Sequence, residues 1–153
     1  MPKPTITPEL AQIRDAVNGL CAGFDDDYWL RLDREHKYPH EFRNAIAKAG
    51  WLGIAIPEEF GGAGLGVVES AYMMQLIASS AGTMAACSSI HINIFGPHAM
   101  VKHGTDEQHK RMLPPLISGE DLSAFGVTEP DAGLNTTQLS TRATRTRDGY
   151  LIN

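Results

Sequence analysis

At 153 residues, 42% of them hydrophobic, the chain suits one domain and can bury a sizeable core. Its net charge of -5, with no cluster of lysine and arginine, excludes an electrostatic nucleic-acid footprint and leaves small-molecule or protein partners. Only two cysteines occur, Cys21 and Cys87, and "MPKPTITPEL" carries no apolar run of signal-peptide length, so a reduced, cytoplasmic chain is expected.

Thr7 followed by Pro8 reads as an N-cap and a first-turn proline, opening a helix whose apolar positions Leu10, Ile13, Val17 and Leu20 keep helical spacing. "AGFDDDYW" reads as irregular. A second helix is expected from about Pro39 to Lys48, with Phe42, Ile46 and Ala49 along its inner face. The glycines and Pro57 of "AGWLGIAIPEEFGGAGLG" then break it into a long, structured connection.

Val67–Ser80 and Thr83–His103 read as two helices that are apolar nearly all round, the pattern of helices buried on most faces. Gly82, His91, Asn93, Gly96, Pro97 and His98 interrupt this least polar region. No window therefore supplies the ~20 predominantly apolar residues of a membrane span. Gly104 can cap the second of these helices. Thr105 and Gln108 in "TDEQ" form a capping box for another, which ends near Pro114 or Ser118.

From Leu122 the periodicity changes. "LSAFGVT" is strand-like in composition, and "TTQLSTRATRTRDGYLIN" is rich in β-branched residues around Asp148-Gly149, a two-residue hairpin signal. A helical unit over residues 1–120 thus leads into a β unit over 121–153 that is cut short.

Most candidate chemical motifs fail on geometry. Gly62-x-Gly64-x-Gly66 lacks one residue of a dinucleotide loop, and a proline and two acids precede it where a buried strand should enter, so a structural loop is expected. His98 and His103 point about 140° apart on a helix, and His91 and His98 lie about 10 Å apart along its axis, so neither pair clasps one metal ion. His36 and His40 flank Pro39 with no cysteine near, and no metal is expected. The Asp25, Asp26, Asp27 run lacks the spaced ligands of a calcium loop and suits a solvated, helix-capping patch. No nucleophile elbow occurs, and Ser88 and Ser89 read as packing residues.

"FGVTEPDAGLN", Phe125 to Asn135, is different, because a plain turn has no use for a threonine at a strand end just before a glycine-bearing bend. Together with "GWLGIAIPEEFGGAGL" (Gly50 to Leu65) and "HGTDEQHKRMLPPLISGE" (His103 to Glu120), in that order, it resembles the acyl-CoA dehydrogenases. The resemblance covers roughly Leu30 to Asn153, and the V-T-E-P-x-A-G element is its most specific part. It implies an α+β fold: a mostly α-helical N-terminal domain followed by the start of a β-barrel-like middle domain.

The resemblance also implies FAD as cofactor, acyl-CoA as substrate and transfer of hydride to the flavin. Electron-transferring flavoprotein or another acceptor would take the electrons, and the assembled protein would be a homodimer or homotetramer in fatty acid metabolism. Phe125, Val127 and Thr128 would meet the pyrimidine end of the flavin ring, where donors stabilise the charge that reduction gathers. Gly133 would let the backbone approach the diphosphate. Many members follow that glycine with Ser-Asp, the serine meeting CoA. Leu134-Asn135 stands here, so Leu134 offers only its backbone amide to the cofactor.

By the match of "NIFG", Ser88, His91 and Phe95 would face the acyl tail, and their spacing places them on one helical face. The family's catalytic glutamate lies beyond the position corresponding to Asn153. Glu58, Glu59 and Glu129 sit in structural motifs, and no catalytic residue is expected in this chain. Two other readings stay open: a flavin oxidase or monooxygenase on the same scaffold, and a non-enzymatic helical module that binds protein partners.

Overall fold

The computed structural model describes residues 6–153; Met1–Thr5, within the stretch read as leaderless, lie outside the described residues. Eight helices are followed by one small hairpin. They are α1 (Pro8–Cys21), α2 (Asp26–Glu35), α3 (His40–Lys48), α4 (Val67–Ala78), α5 (Thr83–Ser88), α6 (His91–Phe95), α7 (His98–His103) and α8 (Asp106–Ser118), then β1 (Ala143–Arg145) and β2 (Tyr150–Ile152). This is the mostly helical architecture with a short β element that the sequence implied.

Local capping chemistry sets the helix starts. Thr7 Oγ accepts from the Leu10 amide at 3.3 Å, with Pro8 at the first turn. Thr105 Oγ accepts from the Gln108 amide at 3.3 Å while Gln108 Oε1 accepts from the Thr105 amide at 2.8 Å, the expected reciprocal box. α8 runs through Pro114 and Pro115 to Ser118.

The irregular reading of "AGFDDDYW" is corrected by α2. Asp25 is its N-cap, accepting from the Tyr28 amide at 2.9 Å, and Asp26 and Asp27 lie in the first turn, where negative charge suits the helix dipole. The acidic run caps a helix, as its composition indicated, but the helix begins inside the stretch. Its inner face joins an aromatic cluster in which Phe24, Tyr28, Trp29 and Phe42 meet edge-to-face at 5.0–5.3 Å.

On α3, Phe42 and Ile46 are buried as expected, but Ala49 is exposed, because the helix stops at Lys48 and Ala49 becomes its C-cap. Arg43 and Ala47 take the remaining inward positions. The core joins Ile13, Val17 and Cys21 of α1 to Met73 and Ile77 of α4, with Phe42, Ile46, Leu52, Ile54 and Ile90 between them. Both cysteines are free and buried.

The glycine-rich connection is a loop folded on itself. Ala63, Gly64 and Leu65 amides donate to the carbonyls of Gly53, Ile56 and Ile54 at 2.9–3.0 Å. A Cβ on Gly62 would lie 2.0 Å from the Ile56 oxygen, so close backbone packing accounts for that glycine and no phosphate is needed.

Two expectations about the apolar region are overturned. The single helix over Thr83–His103 is three helices, interrupted at Ser89–Ile90, where Ile90 leaves helical geometry and Ser89 Oγ donates back to the Ala86 carbonyl, and at Gly96–Pro97. Nor is α4 buried on most faces: Val67 and Val68 in its first turn are 79% and 66% exposed, and only Met73 and Ile77 are fully buried. No helix among the described residues is long and apolar enough to cross a membrane.

"LSAFGVT" forms no strand, since no neighbouring strand lies beside it to complete a ladder. The hairpin is present with Ala143 opposite Ile152 and Arg145 opposite Tyr150, closed by the Thr146 amide donating to the Gly149 carbonyl at 2.9 Å. Its turn centres on Arg147-Asp148, one residue before the expected Asp148-Gly149.

Arg43 fixes the exit from α8. Its guanidinium is buried and donates through Nη1 to the Gly119 carbonyl at 2.7 Å and through Nη2 to the Asp121 carbonyl at 2.9 Å. Gly119 itself is left-handed (φ 79), and a Cβ there would lie 2.7 Å from Ala47 Cβ. Gly119→Ala should therefore lower the unfolding free energy by about 1–2 kcal/mol from the backbone conformation alone, with the clash adding to it. Urea denaturation checks this, and an unchanged midpoint would refute it.

Candidate functional site

The residues singled out for a ligand fall in two groups that meet at one point. α5 and α6 carry the first. Ser88 is exposed and His91 half-buried, His91 Nδ1 lies 3.2 Å from the Ser88 carbonyl, and the His91 and Phe95 rings are 5.6 Å apart. The turn at Ser89–Ile90 breaks the helix between them; Ser88 and His91 share one cleft, whereas Phe95 meets the His91 ring without lining that cleft. Ser88 and His91, with Ala71, Met74 and Ala78 of α4 and Met84, line an apolar cleft of about 400 Å³.

The segment after α8 carries the second group. Phe125 meets Phe95 edge-to-face at 5.4 Å, so an aromatic row runs His91, Phe95, Phe125. Phe125 also closes one end of a second cleft of about 570 Å³, whose other walls include Met100, Arg111, Met112 and Leu116. Sequence reasoning missed these four. Met112 and Leu116 are four apart on α8, a spacing that could have indicated a common face.

Val127 is half-buried, and Thr128 is exposed at the mouth of the bend. Gly133 follows buried Ala132, and a Cβ built on Gly133 or on Gly126 would meet nothing within 4 Å, with no left-handed φ at either. Neither the chain's own packing nor its backbone geometry demands a glycine at these positions. Leu134 stands fully in solvent.

Asn93 and Arg43 hold this segment, and the sequence reading assigned neither to the site. Asn93 Nδ2 donates to the Asp121 carbonyl at 3.1 Å, and Asn93 Oδ1 accepts from the Ser123 amide at 3.0 Å. A buried amide in an otherwise apolar run must find partners, which is the signal that could have drawn attention to it.

Residues 7–120 match the family model described as acyl-CoA dehydrogenase, N-terminal domain. The chain belongs to the acyl-CoA dehydrogenase family. An acyl-CoA dehydrogenase of Mycobacterium tuberculosis is 34% identical over 148 residues, which are 94% of this chain and 37% of that protein. Among solved structures, the glutaryl-coenzyme A dehydrogenase in complex with glutaryl-CoA matches with a TM-score of 0.87 at 27% identity, over 99% of this chain and 39% of that one. A chain from the electron transferring flavoprotein study of Acidaminococcus fermentans matches with a TM-score of 0.81 at 26% identity, over 99% of this chain and 40% of that one. The chain thus spans about two fifths of the length of these relatives.

Within this member of the family, the acid of the V-T-E-P element is a structural tie. Glu129 pairs with Ala132 across the bend, and its carboxylate accepts from the Ser140 amide and hydroxyl and from the Thr141 amide, all at 2.8 Å. The Ser140 amide, then the bonds from Thr141, lower its pKa from 4.5 to about 2. A carboxylate so acidic holds a proton too weakly to act as a base near neutrality. The cysteines are no better as nucleophiles, since burial raises the pKa of both thiols. Among the described residues no cluster of three potential ligands could hold a metal ion.

The Glu129 tie has a defined pH window. Its folded pKa lies below the unfolded value, so its stabilisation is complete above about 4.5 and is lost as the pH falls toward about 2. Exchange protection of the Ser140 and Thr141 amides should decline across that window, and Glu129→Gln should weaken protection at neutral pH and flatten the decline. Protection independent of pH in the native chain would contradict this tie.

Proposed function

We propose that the protein carrying this chain is an FAD-dependent acyl-CoA dehydrogenase that removes hydrogens from the α and β carbons of acyl-CoA thioesters. We take residues 1–120 as its N-terminal helical domain and 121–153 as the opening of its middle β domain. The supporting observation is the Val127–Gly133 bend: Thr128 lies open at its start, two glycines with no internal reason to be glycine flank it, and Phe125 just before it begins an aromatic row that reaches an apolar cleft at His91.

The residues present fit the cofactor. The backbone at Phe125 and Val127 and the Thr128 hydroxyl would hold the pyrimidine end of the flavin, and the open backbone at Gly133 and the Leu134 amide would serve the diphosphate. When bound, FAD supplies the hydride acceptor for the reaction. Thr128 donates a hydrogen bond that gains strength as negative charge develops on its acceptor, so it stabilises the reduced state. Ser88, His91 and Phe95 would face the acyl tail, with the apolar cleft beside Ser88 and His91 keeping water from it. No residue of 1–153 is assigned as the base.

Acyl-CoA is the substrate in this reading, electron-transferring flavoprotein or a similar carrier takes the electrons, and the working protein is a homo-oligomer of fatty acid metabolism. Two free, buried thiols are compatible with a reducing compartment such as the cytoplasm. A same-scaffold oxidase or monooxygenase would pass its electrons to oxygen in turnover, whereas a dehydrogenase turns over only with a carrier or dye as acceptor.

Thr128→Val keeps the side chain's size and branching and deletes one charge-assisted hydrogen bond, a loss of roughly 1.5–3 kcal/mol in a dry site. In the gene-encoded protein the flavin reduction potential and the rate of reduction by acyl-CoA should both fall. Gly133→Val should instead lower the FAD-to-protein ratio by blocking backbone approach. An unchanged potential in the first and full occupancy in the second would refute the reading.

A further inference from the structure

We infer that Asn93 is a positioning residue that locks the flavin-facing segment to the acyl-tail wall; the inference rests on the functional reading above. Asn93 sits in the middle of α6, between His91 and Phe95, and is 3% exposed. Its neighbours on the helix present their rings to the aromatic row, while its own amide turns to the chain leaving α8.

There the amide makes bonds of both kinds. Nδ2 donates to the Asp121 carbonyl at 3.1 Å and, at the long limit of 3.5 Å, to the Leu116 carbonyl, while Oδ1 accepts from the Ser123 amide at 3.0 Å. A single side chain thereby grips both sides of Leu122. No other residue type of this size offers two donors and an acceptor in one plane: aspartate would set a charge against two carbonyls, and leucine would strip the Ser123 amide of its acceptor and leave the Asp121 carbonyl to Arg43 alone.

Position makes that grip consequential. Ser123 is two residues before Phe125, and Asn93 is two residues before Phe95, and these two rings meet at 5.4 Å. Asn93 therefore sets the register between α6 and the segment that runs through Phe125 and Val127 to Thr128. Through it, the wall for the acyl tail and the donors for the flavin are held as one unit. A small displacement of that segment would leave both groups intact but misplaced relative to each other, the kind of error that costs rate more than binding.

The test uses the gene-encoded protein with Asn93→Asp and, should that variant fail to fold, Asn93→Ser, which removes the two-donor amide and shortens the side chain without burying a charge. Amide exchange should accelerate at Ser123 to Thr128 by about tenfold or more, while core amides such as those of Val17 and Ile77 stay protected. In protein loaded with FAD, the rate of reduction per bound flavin should fall on the order of 10- to 100-fold, with KM for the acyl-CoA changed by less than about twofold. A purely structural role would instead lower protection everywhere and leave the rate per bound flavin at the native value, and that result overturns the inference. If the native protein binds no flavin, the functional reading fails, and the exchange arm decides alone whether Asn93 positions the segment: uniform or unchanged exchange overturns it.

Discussion

A buried guanidinium with no carboxylate partner is the constraint on which the rest of the site depends. Among the described residues the ion pairs are Arg14 with Asp15 and Lys37 with Glu35, and Arg43 joins neither. An unpaired buried charge is costly, and Arg43 is compensated instead by the Gly119 and Asp121 carbonyls just past the negative end of the α8 dipole. Its Nε remains without a partner, so those two bonds carry the compensation. They require the chain to turn back over α3 at Gly119, and only a glycine can adopt that left-handed conformation beside Ala47 and Leu52 without strain. From there the direction of 121–125 is fixed, and Phe125 arrives at Phe95.

Helix starts were legible in the sequence because their chemistry is local. Thr7 with Pro8 and Thr105 with Gln108 act over three residues, and the acidic run at Asp25 announced a cap even though the helix behind it was passed over. The breaks at Ser89–Ile90 and Gly96–Pro97 were harder to see, since the residues around them are as apolar as those of a continuous buried helix. The "LSAFGVT" stretch has the composition of a strand, but a strand exists only with a neighbour to bond, and composition does not report the neighbour.

The site itself was legible only through resemblance. Phe125, Val127, Thr128 and Gly133 stand out by a family pattern, and the geometry adds a reason of its own in Gly126 and Gly133, two glycines that the fold does not need. Arg43 and Asn93 escaped because their partners are remote: Gly119 is 76 residues from Arg43, and Asp121 and Ser123 are 28 and 30 from Asn93. No periodicity in the sequence connects such positions. The acid nearest the proposed flavin seat, Glu129, shows the opposite case, since its motif suggested structure rather than catalysis and its hydrogen bonds to Ser140 and Thr141 agree.

Arg43 Nη2 and Asn93 Nδ2 donate to the same acceptor, the Asp121 carbonyl, at 2.9 and 3.1 Å. If the two side chains form one clamp on the segment after α8, removing either releases what the other holds. A double-mutant cycle with Arg43→Met and Asn93→Leu, read by urea unfolding free energies, measures this directly. The double variant should lose less than the sum of the single losses, by at least about 0.5 kcal/mol. Losses that add within about 0.3 kcal/mol would show two independent contacts and contradict the clamp.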